Sequence, residues 1–153
     1  MTIHSHLTTI GLIEAEDGVL DDRAKTVLTT GGCNAFAIEL NKKYEYEIVH
    51  LTVYETFLNM TIIFPYHSLC RLPDGRYQDA TCIMTKDEFI GEMNDYMISG
   101  SSLFQYIIDP GRWINDHTFI CHNKRLKIRK GLCPNVEEIP SINRLAKSIV
   151  HLV

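Results

Sequence analysis

The sequence predicts an α+β fold, with helices packed on an antiparallel sheet, and three observations carry that expectation. The stretches YEIVHLTVY (46–54) and NMTIIF (59–64) are rich in β-branched and aromatic residues, as strands are. Between Cys33 and Lys43, Phe36, Ala37 and Leu40 recur at three-to-four spacing with Glu39, Lys42 and Lys43 on the other side, the pattern of an amphipathic helix. Pro73-Asp74-Gly75 sits between two further strand-like runs and has the chemistry of a tight hairpin turn. The 153 residues suit one domain with a sizeable core.

Element by element, a short strand is expected over Leu7–Ile13, an acidic turn at Asp17-Gly18 and a helical stretch from Asp21 to Leu28. Thr29-Thr30-Gly31-Gly32 is a breaker cluster before the helix of residues 33–43. After the strands and the hairpin, Thr85 can cap a helix, with Glu88 three residues on to close a capping box. That helix is expected to reach Met97, before Gly100-Ser101-Ser102. The last third offers an apolar run at Phe104–Ile108, a DPGRW turn and strands near 117–121 and 125–129. A C-terminal amphipathic helix follows, with Ser141 as its expected cap and Leu145, Ile149 and Leu152 on its inner side.

Composition narrows the class. A hydrophobic share of 45% and a charged share of 22% are those of a globular protein. The net charge of −4 argues against a general nucleic-acid binder, and the basic run Lys124–Lys130 reads as a solvated face. No run approaches the roughly 18 apolar residues of a membrane span. The opening MTIHSHLTTI lacks the basic start and apolar stretch of a secretion signal. The five cysteines are odd in number and form no CxxC pair. A disulfide framework is therefore not expected, and a reduced, cytoplasmic setting is. Cys121, His122 and Cys133 are spaced too widely for an ordinary structural zinc site, so neither a metal nor a cofactor is expected.

The chemistry centres on Cys33. It follows Gly31-Gly32 and opens a helix, where unpaired amides and the positive end of the helix dipole favour a thiolate. The same amides can donate to an oxyanion, and the glycines would let a substrate approach the backbone. A three-residue Pro73-Asp74-Gly75 connection pairs Leu72 with Arg76, and counting outward pairs Leu69 with Asp79. His67 and Asp79 are then diagonal neighbours on one face, roughly 7 Å apart at Cβ. A two-residue turn would put them on opposite faces. The expected constellation is Cys33 as nucleophile, His67 as base and Asp79 as the group that fixes the imidazole tautomer, with Asp74 only a turn former.

GGCNAFAIEL together with YHSLCRLPDGRYQDA resembles the core of the papain-like and transglutaminase-like cysteine enzymes, over residues 31–82 or about a third of the chain. Those enzymes place a cysteine at a helix N-terminus, a histidine on a following strand and an Asp or Asn on the next. The resemblance implies a cysteine-dependent hydrolase or acyl transferase acting on an amide or related acyl bond, of peptidase, amidase or deamidase type, with a protein or peptide-like substrate. Two positions depart from papain itself. Val27 stands where papain-type peptidases carry an oxyanion glutamine, and Asn34 where a tryptophan often follows the nucleophile. The resemblance therefore implies an oxyanion hole of backbone amides around Gly32, supported by Asn34.

Two other functions compete. His6-Leu7-Thr8 and His50-Leu51-Thr52 repeat the H-x-T pattern of the 2H phosphoesterases, which use two histidines as acid and base and two hydroxyls to hold a phosphate. Alternatively the chain is a non-enzymatic binding or inhibitor module on the cysteine-enzyme fold, the expectation if Cys33 lies buried away from His67.

Overall fold

The computed structural model describes residues 2–8, 11–57, 60–89, 124–134 and 136–153. The chain opens on a hairpin of β1 (Ile3–Thr8) and β2 (Gly11–Glu16). The sequence predicts one strand over Leu7–Ile13, and the chain instead divides there into two. Residues 8–10 are all β-formers, so the break rests on Gly11, whose φ of +119° is open to glycine and not to its neighbours. The alternation also runs against hydropathy. Leu7 and Leu12 face each other on the outside at 75% and 65% exposure, while His4 and Ala15 are buried as a pair. His4 is held there by a hydrogen bond to Asp17 in the acidic turn.

Helix α1 (Asp22–Thr29) begins at Asp21, whose Oδ1 accepts the N–H of Ala24 at 3.0 Å. Helix α2 (Cys33–Tyr44) follows the glycine break and buries Ala35, Phe36, Ala37 and Leu40. Strands β3 (Glu47–Phe57) and β4 (Met60–Arg71) run antiparallel. Their register shifts where Leu51 pairs with His67 but Thr52 with Pro65, so Tyr66 is the extra residue of a bulge directly before His67.

Two short strands, β5 (Tyr77–Gln78) and β6 (Ile83–Met84), and the longer β7 (Lys124–Lys130) complete a five-stranded antiparallel sheet in the order β6-β5-β4-β3-β7. The basic run is therefore an edge strand, where lysines discourage pairing with another chain.

Helices cover one face of this sheet. Ile48 and Cys70 meet Phe36, Ala37 and Leu40, and behind them lie Val27 and Leu28 of α1 and Leu145 and Ile149 of the C-terminal helix α3 (Pro140–Ile149). On the opposite face Val49, Leu51, Leu69, Tyr77 and Phe89 form a second cluster. Each such buried side chain contributes about 1.5–3 kcal/mol relative to exposure. The fold is thus α+β, helices on an antiparallel sheet.

Two expectations for the C-terminal helix need correction. Ser141 is not its cap: the helix starts at Pro140 with Ile139 as N-cap, because proline lacks the N–H that the first position leaves unbonded and has a helical φ already set. Leu152 does not line the inner side either. It lies in a closing 3₁₀ turn (Val150–Leu152) and is 47% exposed.

The capping box forms as read, with Glu88 N–H donating to Thr85 Oγ1 at 3.3 Å and Thr85 N–H donating to Glu88 Oε2 at 2.9 Å. The rest of that helix, the Phe104–Ile108 run, the DPGRW turn and the strand near 117–121 lie outside the described residues. Among the described residues no helix is long and apolar enough to cross a membrane.

Candidate active site

The hairpin sets the site's geometry. Leu72 N–H donates to Arg76 O at 2.8 Å, and Gly75 N–H to Leu72 O at 3.0 Å, with Gly75 at φ +89°. This is the three-residue connection, a type I turn closed by a left-handed glycine. Arg71 then pairs with Tyr77 and Cys70 with Gln78. Continuing that register brings His67 and Asp79 diagonally across one face, and His67 Nε2–H donates to Asp79 Oδ2 at 2.9 Å. Asp74 stays at the tip, half exposed and paired with Arg76.

Asp79 is held on both oxygens. Its Oδ1 accepts from Thr81 N–H at 2.8 Å, Thr81 Oγ1–H at 2.6 Å and Cys82 N–H at 3.2 Å. Burial alone would raise its pKa; the bonds from His67 and Thr81 outweigh that and lower it. The imidazole is 4% exposed and stacks on Phe89 with ring centroids 6.1 Å apart. Burial disfavours its charged form, but the bonds to Asp79 and then to Cys33 prevail and raise its pKa to about 9. With Nε2 on Asp79, the ring nitrogen that remains for Cys33 is Nδ1.

Cys33 stands at the first position of α2 and is buried. Its pKa falls well below the ordinary thiol value. The largest cause is a hydrogen bond from the Cys133 thiol; burial opposes it, and the His67 ring and the backbone N–H of Ser68 add to it. Cys133 shifts the other way, because its proton is held by Cys33. The contrast within the chain is clear at Cys70, whose buried thiol donates to Ala37 O and whose pKa is pushed up to about 12 by burial.

Two expectations about the oxyanion site change. The N–H of Gly32 donates to Val27 O at 2.9 Å, so it is not free for a substrate. What comes close to the glycines is the protein itself. A Cβ on Gly32 would lie 2.7 Å from Ile142 Cγ2, and one on Gly31 would lie 2.8 Å from His6 Nε2. The Asn34 side chain is bonded within the protein at both ends. Its Nδ2 donates to Cys133 O at 3.1 Å and its Oδ1 accepts from the Ser68 hydroxyl. The Ser68 hydroxyl in turn accepts from Cys133 N–H at 2.8 Å. Asn34, Ser68 and Cys133 thus lock three distant segments around the thiol.

Sequence reasoning singled out neither Ser68, Thr81 nor Phe89 for the site, and it weighed Cys133 only for zinc. Thr81 carried a local signal, since Asp-x-Thr is a side-chain-closed turn. The other three are tertiary neighbours with no signature in sequence. The two H-x-T motifs lie on β1 and β3, strands of different sheets. The His6 ring lies over Gly31, and His50 Nδ1–H donates to Gly131 O at 3.0 Å. Of the weighed zinc ligands, Cys121 and His122 lie outside the described residues, and no metal-ligating cluster exists among those described. Cys33 is buried, and the His67 ring is among the groups that lower its pKa.

Comparison with known proteins gives no match to a family model, to a curated protein or to a solved structure.

Proposed function

We propose that the chain is a cysteine-dependent hydrolase or acyl transferase with a papain-like or transglutaminase-like core, acting on an amide or related acyl bond of a protein or peptide-like substrate. The observation that carries this reading is the buried His67–Asp79 hydrogen bond at 2.9 Å, whose imidazole and the Cys33 thiol at the entrance of α2 shift each other's pKa. An imidazolium beside a helix-entry thiolate is the resting state such chemistry needs.

In the first half-reaction the Cys33 thiolate attacks the acyl carbon. A carbon–sulfur bond forms and the carbonyl π pair moves to oxygen. The first-turn amide of Cys33 itself is the donor assigned to that oxyanion, since Gly32 is bonded elsewhere. The oxyanion collapses, the bond to the leaving amine breaks, and His67 protonates that amine. This leaves a thioester and a neutral imidazole. In the second half-reaction the imidazole takes a proton from water or an acceptor amine, which adds to the thioester and releases the thiolate. Asp79 keeps the ring in the tautomer both halves require.

An activated ester, p-nitrophenyl acetate, tests this without knowledge of the natural substrate. The expected result is an acetyl adduct on Cys33, seen by intact and peptide mass, which decays with time and is absent in Cys33→Ala. Absence of any adduct in the folded wild-type chain, or acylation confined to other cysteines, contradicts the reading.

A further inference from the structure

Cys133 is the member of the cluster that forms no bond to substrate in acyl transfer. It lies 100 positions after Cys33 and is buried, as Cys33 is. Its carbonyl is bonded by Asn34, the residue next to Cys33, and its N–H by Ser68, the residue next to His67. These two bonds fix its backbone beside the first turn of α2, and each thiol is the largest influence on the other's pKa. In the proposed mechanism Cys133 makes and breaks no bond to the acyl group; it acts only on the charge of Cys33. The segment carrying it, residues 132–134 between β7 and α3, is neither helix nor strand, so no helical or ladder hydrogen bond has to break for the two sulfurs to close to a bond of about 2.05 Å.

We propose that Cys33 and Cys133 form a peroxide-reactive pair, with Cys33 the attacking thiolate and Cys133 the resolving thiol, so that oxidation closes a reversible disulfide over the nucleophile. The proposal rests on the placement of Cys133 beside the first turn of α2 and not on any hydrolytic activity. The oxidant is hydrogen peroxide. Cys33 sulfur attacks one peroxide oxygen, a sulfur–oxygen bond forms, the oxygen–oxygen bond breaks, and the departing hydroxide takes the proton of the His67 imidazolium. Cys33 is then a neutral sulfenic acid and no longer holds the proton of Cys133. The neutral imidazole takes that proton, the Cys133 sulfur attacks Cys33, and the proton passes to the hydroxyl that leaves as water. One peroxide accepts two electrons, two waters form and one disulfide results.

The consequence is protective. A low-pKa thiolate with no partner continues to sulfinic and sulfonic acids, which are not restored by thiols, whereas a disulfide is.

The experiment treats the folded full-length chain with hydrogen peroxide, blocks remaining thiols under denaturing conditions and maps tryptic peptides without reduction. Cleavage after lysine and arginine isolates Cys33 within residues 26–42 and Cys133 within residues 131–144, each with a single cysteine. The expected result is a cross-linked pair of these two peptides that dithiothreitol separates. In Cys133→Ser, Cys33 should instead advance to sulfinic acid at the same dose. Sulfinic acid at Cys33 in the wild type without the cross-link overturns the proposal, as does a cross-link to Cys70 or Cys82, or a pair that stays reduced. Acetylation of Cys33 by the ester reads out independently, so loss of the hydrolase reading leaves the cross-link result interpretable.

Discussion

Asp79 and Asp74 stand five residues apart in the same hairpin and illustrate what makes a carboxylate part of a site. Asp74 is half exposed and bonds only Arg76 beside it. Asp79 is 8% exposed and accepts four hydrogen bonds, one of them from His67. Replacing Asp79 by asparagine keeps its shape but presents an amide N–H to His67 Nε2, which favours the wrong tautomer. A thiolate already paired with an imidazolium depends less on the third residue than a serine does. The expected loss in deacylation rate is therefore on the order of 10 to 10³-fold for Asp79→Asn, and larger for Asp79→Ala. Asp74→Asn should change little. Single-turnover ester kinetics on the three variants check the ranking, and a sensitive Asp74 beside an indifferent Asp79 would mean that His67 draws its orientation from elsewhere.

At the level of elements, the junction of α1 and α2 decides where the thiol sits. Gly32 is the N-cap of α2, with its N–H turned back to Val27 O. A Cβ added there meets Ile142 Cγ2 at 2.7 Å, Val27 O at 2.9 Å and Leu28 Cα at 3.2 Å, and two of those three atoms are backbone. Gly32→Ala is expected to destabilise by about 1–3 kcal/mol, the usual range for overpacking. A lower denaturant midpoint at unchanged slope would show it. Gly31→Ala meets only the His6 ring, which can swing aside, and should cost less. Equal tolerance at the two glycines would contradict this packing. The break itself was legible, because two glycines after two threonines interrupt any helix. Their purpose was not: glycines beside a cysteine suggest room for substrate, and only the neighbours of a missing Cβ reveal room for α3. The same holds at the first hairpin, where His4 and His6 turn inward and Leu7 and Leu12 outward, against the hydropathy pattern.

Across the whole molecule, the parts of the site that sequence reveals are those whose cause is local. The Pro-Asp-Gly turn fixes a register, the register fixes the His67–Asp79 diagonal, and helical periodicity fixes the start of α2 near Cys33. The parts it hides depend on packing over long separations. Ser68 and Cys133 are 65 residues apart, and Asn34 and Cys133 are 99 apart, yet three hydrogen bonds tie these three residues together. No spacing rule announces such a triangle. It forms because β7 pairs with β3 and carries the following loop back across the sheet to the first turn of α2.

This assembly holds Cys33 as a thiolate, a state read out by the pH dependence of its alkylation by iodoacetamide. Each cysteine-bearing peptide is quantified by mass across the acid and neutral range. A thiol whose pKa is lowered keeps its charge as pH falls and loses reactivity only when protonation reaches the lowered value. Cys33 should therefore react at an almost constant rate from neutral into mildly acid solution, far below the ordinary thiol value of about 8.5. Cys70, pushed up to about 12, should stay silent over the same range. A Cys33 profile that collapses near the ordinary thiol value, or faster labelling of Cys70, Cys82 or Cys133 in the folded chain, would contradict the account.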